Sequence, residues 1–179
     1  QLPARSGLGS SSSFTVGLLN ALYALKERMV SPRQLAEEAI EVEQILLEES
    51  VGIQDQIMAA HGGFQIIEMG PDANWNTKNM LLPKEYLSSL ENHVLLGFSG
   101  ISRLSEQHAK NKVDNIKQGK TKNELQAIYE LTKEAMQAFK NQADFDEIGR
   151  LLDQSWQSKK RLAEGVSSCL LYTSPSPRD

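Results

Sequence analysis

Several features that would place a protein in a specialised class are scarce or absent in this sequence of 179 residues. The single cysteine, Cys169, excludes an intramolecular disulfide framework and a metal site built from cysteines. No apolar run approaches the roughly 20 residues that a membrane-spanning helix needs. Residues 1–15 also lack the charged start and apolar stretch of a secretory signal. We therefore expect a cytoplasmic protein without a membrane partner.

Positive charge is also scarce, because 19 lysines and arginines are set against 23 aspartates and glutamates, and the formal net charge is -4. A basic surface of the kind that binds nucleic acid is thus not expected. With 40% hydrophobic and 23% charged residues, the composition is that of a globular protein rather than a disordered one. The composition does not indicate an oligomeric state.

Both ends of the sequence have an unusual character. The chain begins at Gln1, without a methionine and without a strand or helix ahead of a loop that looks functional, so we expect the natural N-terminus to be missing. Residues 168–179 bear no relation to the helical pattern before them and resemble translated adaptor sequence. We therefore interpret these residues as a non-native tail and leave them out of the fold.

The order of apolar and polar residues predicts helices at both ends of the chain and strands between them. Predicted helices cover residues 11–26, 31–47, 103–117, 122–140 and 145–163, with a short helical turn at 54–60. Predicted strands cover residues 63–69, 76–82 and 93–98, the first two as a hairpin. Because the strands are grouped between helical blocks, the predicted fold class is α+β, with a domain boundary near Leu90.

Helix starts and buried faces follow from the same pattern. Ser31 before Pro32, with Gln34 three residues after the serine, predicts a capping box. Thr121 and Asp144 are predicted to open the last two helices in the same way. The first helix carries an apolar stripe that we expect to be buried, formed by Leu18, Leu22, Leu25 and Met29 and widened by Leu19.

The segment at residues 3–13 has the composition of an anion-binding loop. Gly7 and Gly9 let backbone N–H groups approach an anion, and the helix that follows presents unpaired N–H groups and the positive end of its dipole. Four consecutive serines add hydroxyls for phosphate oxygens or a phosphate-bound Mg²⁺. The segment is neither a Walker A loop nor a Rossmann fingerprint. Composition alone leaves a flexible linker or a helix cap as the alternative.

Two carboxylates follow this loop along the chain. Glu43 interrupts an apolar stripe of the second helix, where burial without a partner would be costly, so it needs a cation, a donor or water. The alternative is a glutamate at the edge of the stripe that reaches solvent. Asp55, in the polar segment 52–56, is suited either to accept a proton from a substrate hydroxyl or to cap the following helical turn.

Taken in order and spacing, these segments resemble the GHMP kinases, the family named for galactokinase, homoserine kinase, mevalonate kinase and phosphomevalonate kinase. Residues 3–12 are similar to the family's ATP phosphate loop, and Glu43 followed by Gly52, Asp55 and the Gly62-Gly63 pair is similar to its magnesium ligand and catalytic aspartate. Residues 2–22, the Gly-x-Gln-Asp-Gln segment and residues 98–103 look most like the members that phosphorylate a heptose 7-phosphate. The resemblance covers about residues 2–167.

The resemblance implies a truncated two-domain fold. Residues 1–90 would form part of an N-terminal domain like ribosomal protein S5 domain 2, and residues 91–167 part of a ferredoxin-like C-terminal domain. It also implies ATP and Mg²⁺ as cofactors and a sugar phosphate, phosphorylated at its anomeric hydroxyl, as the partner. By the same resemblance Asp55 is the catalytic base, Ser11 and Glu43 ligate Mg²⁺, and the nucleotide lies against Gly7, Leu8, Gly9, Ser10, Ser11 and Ser12.

Three departures from the family pattern accompany this resemblance. The first family motif would lie before Gln1, the third, a glycine-rich loop, would follow Val166, and Glu48 stands where relatives commonly carry glycine. Whether this segment is active by itself is therefore open. Three other functions also stay open: a GHMP kinase acting on galactose, fucose or mevalonate, a nucleotide-binding relative without turnover, and a helical scaffold that binds no nucleotide.

Overall fold

A computed structural model of the chain describes residues 9–49, 51–70, 74–95, 116, 119 and 121–162. The described residues up to Leu81 form one compact unit and those from Leu82 onward form a second. Helices dominate both units, and a small sheet lies in the first, so the predicted α+β class is confirmed. The predicted domain limits at residues 90 and 167 stay predictions.

The first unit combines helices with one hairpin. Its helices are α1 (Ser10–Leu25), α2 (Pro32–Glu41) and α3 (Gln54–His61), and a π-helical turn (Val42–Leu46) continues α2. The strands are β1 (Gln65–Met69) and β2 (Trp75–Asn79), which pair antiparallel with Ile67 opposite Thr77. The predicted hairpin and the helices predicted at 11–26 and 54–60 are thus confirmed, with bounds that differ by one to three residues.

Helix α1 packs through a different face from the one that its sequence predicts. Val16 is buried together with Leu35 and Ala39 of α2, and Leu19 and Tyr23 pack against this cluster. The predicted burial is wrong for four members of the apolar stripe, which are exposed, although Leu19 is packed: the exposed members are Leu18, Leu22, Leu25 and Met29. Because α1 carries apolar residues on two faces, its periodicity alone does not decide which face meets α2.

Helix α2 begins as predicted at Ser31. The Ser31 hydroxyl accepts a 3.1 Å hydrogen bond from the backbone N–H of Gln34, and Pro32 occupies the first helical position. The side chain of Gln34 does not complete the predicted capping box, because it donates to Tyr23 and Glu38 instead. The Tyr23 hydroxyl also donates to Glu38 at 2.6 Å, so this polar group connects α1 to α2.

A second buried cluster connects α2 to α3 and the hairpin. It consists of Ala36, Ile57 and Trp75, with Ile40 and Ile53 packed against it. Helix α2 therefore contacts α1 through Leu35 and Ala39 and contacts α3 and the hairpin through Ala36. This packing brings the end of α2 and the start of α3 next to the start of α1.

The second unit is helical in its described part. Its helices are α4 (Lys84–His93), α5 (Lys122–Lys140) and α6 (Phe145–Lys160). Ala138, Ile148 and Leu151 are buried between α5 and α6. Tyr86 of α4 stacks on Phe145 with ring centroids 4.9 Å apart, and its hydroxyl donates a 2.8 Å hydrogen bond to the carbonyl of Ala143. The predicted helix at 122–140 is confirmed.

Helix α4 occupies residues for which the sequence pattern predicted no helix, and its last residue, His93, is the first residue of the predicted strand at 93–98. That start of the strand is wrong, and residues 96–98 lie outside the described part. The predicted helix start at Asp144 is confirmed, because its carboxylate accepts a 2.9 Å hydrogen bond from the backbone N–H of Asp146. The predicted capping box is not formed, since the backbone N–H of Glu147 donates to the carbonyl of Asp144 instead of its carboxylate. The predicted capping box at Thr121 is wrong, since its buried hydroxyl has no hydrogen-bond partner among the described residues.

Apart from Ile116, which is helical, the helix predicted at 103–117 lies outside the described residues, as does the stretch at 98–103. Within the ranges that the structure describes, no helix combines the length and the apolar character required to cross a bilayer.

Candidate active site

The predicted phosphate-binding segment enters the described part of the chain at Gly9, so Gly7 and Leu8 lie outside it. Gly9 precedes α1 in the left-handed region, with φ of 66°, and its carbonyl accepts a 2.9 Å hydrogen bond from the backbone N–H of Ser13. A residue with a side chain pays roughly 1–2 kcal/mol for this conformation, which explains glycine here. The serines that follow are the first residues of α1, where helical N–H groups lack intrahelical acceptors and the dipole is positive.

Glu43 lies at the centre of a buried polar group in the first unit. Only 1% of its surface is exposed. The hydroxyl of Ser12 donates to its Oε2 atom at 3.0 Å, the hydroxyl of Thr15 donates to Oε1 at 3.1 Å, and the side-chain amide of Gln56 donates to Oε2. These donors from α1 and α3 replace the water that the carboxylate loses on burial. Glu43 is therefore not a glutamate at the edge of the stripe that reaches solvent.

Glu43 owes its position to the π-helical turn after α2. The turn spans Val42–Leu46, and Glu43 is its buried residue, whereas Leu46 is exposed. A π turn winds more residues into one turn than an α-helix does, so it changes the face on which the following side chains lie. The helical pattern that predicted an uninterrupted helix to residue 47 does not include this change.

Within the described ranges, Glu43 is hydrogen-bonded to neutral donors and forms no ion pair. The ion pairs found there engage other acids, namely Glu37, Glu68, Glu130 and Glu147. Neutral hydrogen bonds stabilise a buried carboxylate but leave its net charge in place. Such a carboxylate attracts a cation, whereas the positive end of the α1 dipole favours an anion such as phosphate, so the two charges can be bound side by side.

The oxygens around Glu43 suit a hard divalent cation. Mg²⁺ prefers oxygen ligands, and in nucleotide sites it commonly takes one or two carboxylates and completes its shell with phosphates and water. The hydroxyl oxygens of Ser12 and Thr15 lie at the same carboxylate, 3.0 Å from Oε2 and 3.1 Å from Oε1 of Glu43. No cluster of three or more histidine, cysteine, aspartate or glutamate side chains able to hold a metal occurs among the described residues. The arrangement thus fits an ion shared with phosphate rather than one held by protein alone.

Ser11 and Ser12, neighbours in the sequence, lie in different surroundings. Ser12 is 4% exposed and contacts Glu43, whereas Ser11 is exposed and its backbone carbonyl accepts a 3.2 Å hydrogen bond from the hydroxyl of Thr15. The structure therefore brings Ser12, and not Ser11, to the carboxylate that the resemblance pairs with Ser11. The role of Ser11 as a metal ligand stays a prediction.

Asp55 lies in the first turn of α3, where it is exposed. The N-cap of α3 is Ile53, and no side chain makes a capping hydrogen bond there, so Asp55 does not cap this helix. A Cβ atom placed on Gly9 would lie 3.6 Å from both Cγ and Oδ2 of Asp55. The Asp55 carboxylate is therefore beside the end of the predicted phosphate loop and open to an acceptor hydroxyl.

Thr15 and Gln56 are site residues that the sequence reasoning missed. Thr15 follows Ser12 by three residues and so lies on the same face of α1, a relation that helical spacing alone could have shown. Gln56 follows Asp55 directly, and a glutamine in such a polar segment carries no sequence signal of burial.

Comparisons with known proteins find one family match and two similar proteins. Residues 1–63 match the family model of the GHMP kinases N terminal domain. Over 177 residues the chain is 32% identical to a D-glycero-alpha-D-manno-heptose 7-phosphate kinase of Campylobacter jejuni, an alignment that covers 93% of the chain and 49% of that protein. Over 165 residues it is 26% identical to a bifunctional fucokinase/GDP-fucose pyrophosphorylase of Arabidopsis thaliana, covering 90% of the chain and 16% of that protein. The chain thus spans half the length, or less, of these curated relatives.

Proposed function

We propose that the chain is part of an ATP-dependent sugar kinase. The premise is that residues 1–63 match the N-terminal domain of the GHMP kinases, which confirms the resemblance seen in the sequence. The observation that carries the proposal is the buried Glu43 held against the start of α1, with Asp55 beside Gly9. Phosphoryl transfer depends on positioning and charge neutralisation, for which a phosphate loop, a metal-binding carboxylate and a carboxylate near the acceptor are the required parts.

The proposed acceptor is D-glycero-D-manno-heptose 7-phosphate, phosphorylated at its anomeric hydroxyl to the 1,7-bisphosphate. The 32% identity to a heptose 7-phosphate kinase over 93% of the chain supports this substrate. The second proposed substrate class is a free sugar such as fucose, which the 26% identity to a fucokinase supports. Both substrate classes present a sugar hydroxyl to the same carboxylate.

In the proposed site each group has one task. The backbone of residues 7–12 holds the nucleotide phosphates, and Glu43 holds Mg²⁺ together with a serine hydroxyl, for which Ser11 and Ser12 are the candidates. The metal ion, when bound, neutralises charge on the phosphates. Asp55 accepts the proton of the acceptor hydroxyl as that oxygen attacks. The proposed domains are a part like ribosomal protein S5 domain 2 before a ferredoxin-like part.

The proposed base is tested by Asp55→Asn in the whole protein that carries this chain. We expect phosphoryl transfer to fall by about 10²–10⁴-fold, the usual contribution of a general base, while the Kd for Mg·ATP stays the same. Glu48→Gln is the matched control, because Glu48 is another exposed carboxylate of the same unit. Release of ADP measures transfer, and calorimetry measures binding. Unchanged turnover in Asp55→Asn would refute the role of Asp55.

The same assay separates the other functions. Acceptors offered in parallel, namely heptose 7-phosphate, fucose, galactose and mevalonate, should show the highest kcat/KM for heptose 7-phosphate. Equal use of all four would refute the narrow substrate. Binding of Mg·ATP without turnover of any acceptor would indicate a nucleotide-binding relative, and no binding of Mg·ATP would refute the kinase proposal as a whole.

A further inference from the structure

We infer that Gln56 is a positioning residue, which fixes the Oε2 atom of Glu43 and so leaves Oε1 as the oxygen that faces a divalent cation. The inference rests on the proposed function, since it concerns how this chain prepares its metal-binding carboxylate. It adds a role for a residue that neither binds phosphate nor transfers a proton.

The burial of Gln56 is the first observation. Gln56 is 1% exposed, and it is among the largest fully buried side chains of the described residues, together with Glu43 and Ile57. A buried amide is costly unless it is hydrogen-bonded, and its Nε2 atom donates to Glu43. Because Ile57, the next residue, is packed in the core, α3 has little freedom to rotate and withdraw this donor.

The two carboxylate oxygens of Glu43 are not equivalent. Oε2 accepts two hydrogen bonds, from the hydroxyl of Ser12 and the amide of Gln56. Among the described residues, Oε1 accepts a hydrogen bond from the hydroxyl of Thr15 alone, which lies 3.1 Å from Oε1 and 3.2 Å from the backbone carbonyl of Ser11. A hydroxyl carries one proton, so Thr15 satisfies only one of these acceptors at a time.

A cation at Oε1 would therefore displace no full hydrogen bond. The Thr15 hydroxyl can donate to the carbonyl of Ser11 instead, which leaves Oε1 free to accept a cation. The Oε2 atom, held by its two donors, keeps the plane of the carboxylate fixed. Partners that orient a metal-binding carboxylate in this way typically contribute 10–100-fold to metal affinity.

Gln56 also couples the metal-binding carboxylate to the proposed base. Asp55 and Gln56 are consecutive residues in the first turn of α3, with Asp55 exposed beside Gly9 and Gln56 directed at Glu43. The hydrogen bond from Gln56 therefore connects Glu43 to the turn of α3 that carries Asp55. Disorder in this contact should affect both the ion and the acceptor position.

The test measures the affinity of the whole protein for Mn²⁺ by electron paramagnetic resonance, in the presence of saturating ADP. Mn²⁺ serves as an oxygen-binding substitute for Mg²⁺. Gln56→Met removes the donor at similar volume and is expected to weaken Mn²⁺ binding by about 10–100-fold, with the metal-free affinity for ADP unchanged. Gln54→Met, an exposed glutamine of the same turn, is the control and should bind Mn²⁺ as the wild type does.

Gln56→Asn, which shortens the side chain and withdraws its amide from Oε2 while keeping a polar group in place, keeps the test decisive where Gln56→Met does not fold. Wild-type Mn²⁺ affinity in either folded variant would overturn the positioning role. Glu43→Gln distinguishes this failure from failure of the proposed function. If Glu43→Gln loses Mn²⁺ binding while the Gln56 variants keep it, the role of Gln56 is refuted and the metal site is not. If Glu43→Gln keeps Mn²⁺ binding, the metal site itself is refuted.

Discussion

Removing the hydroxyl of Ser12 should destabilise the first unit far more than removing that of its neighbour Ser13. Ser12 is 4% exposed and donates a 3.0 Å hydrogen bond to the buried carboxylate of Glu43, whereas Ser13 is exposed on the same helix. A buried acceptor deprived of a donor costs about 1–3 kcal/mol. Alanine offsets part of this with its helix propensity, roughly 0.5 kcal/mol, so we expect a net loss of about 1–2 kcal/mol. Ser13→Ala should stay within about 0.5 kcal/mol of the wild type.

Urea unfolding followed by the fluorescence of Trp75 measures this difference. Trp75 is buried in the first unit, and a Trp156→Phe background removes the signal from the second unit. For a unit of this size the slope of the unfolding free energy is about 1 kcal/mol per M urea, so the midpoint of Ser12→Ala should fall by roughly 1–2 M. Equal midpoints for Ser12→Ala and Ser13→Ala would refute the reasoning that α1 stabilises the buried Glu43.

Four further predictions concern other residues. Gly9→Ala should destabilise the first unit by about 1 kcal/mol in thermal melts, because its φ is 66° although a Cβ has room. Gly17→Ala, with nothing within 4 Å of an added Cβ, should stabilise the unit by about 0.5–1 kcal/mol. A variant that melts at the temperature of the wild type would contradict the prediction made for it. Asp144→Ala should cost the second unit about 1 kcal/mol in urea unfolding through loss of its cap, and an unchanged midpoint would contradict this. The hydrogen bond to Glu38 and desolvation raise the pKa of Tyr23 above 10.0 in the folded chain. The unfolded chain therefore loses this proton first, and the free energy of unfolding falls as the pH rises from 10.0 through the raised pKa. The difference between the absorbance titrations of the wild type and of Tyr23→Phe should show that Tyr23 ionises above pH 10.0. Glu38→Gln should lower the pKa of Tyr23.

Local signals in the sequence determined most of the elements. The start of α2 follows from Ser31 and Pro32, and the cap of α6 follows from Asp144, because each depends on a few adjacent residues. Thr121 shows the limit of such signals, since the same pattern of residues is present and the hydroxyl makes no capping hydrogen bond. Helix α4 was missed because the apolar run that follows it favours a strand.

The candidate site was predicted in part. Order and spacing identified Glu43 and Asp55, because a carboxylate on an apolar stripe and an aspartate in a polar segment are visible in the sequence and agree with a family pattern. Neither spacing nor resemblance indicated that Gln56 is buried, since its burial depends on how α3 packs against α2. The alternatives that the sequence left open for Glu43 and Asp55, solvent exposure and helix capping, were excluded only by the structure.

The sequence by itself determined that a serine-rich helix start, a glutamate and an aspartate occur in this order. Only the tertiary structure decided which serine meets the glutamate. Adjacent residues of an α-helix lie about 100° apart around its axis, so Ser11 and Ser12 cannot both face Glu43. The packing of Val16 against Leu35 and Ala39 sets the rotation of α1, and that rotation directs Ser12 and Thr15 to the buried carboxylate.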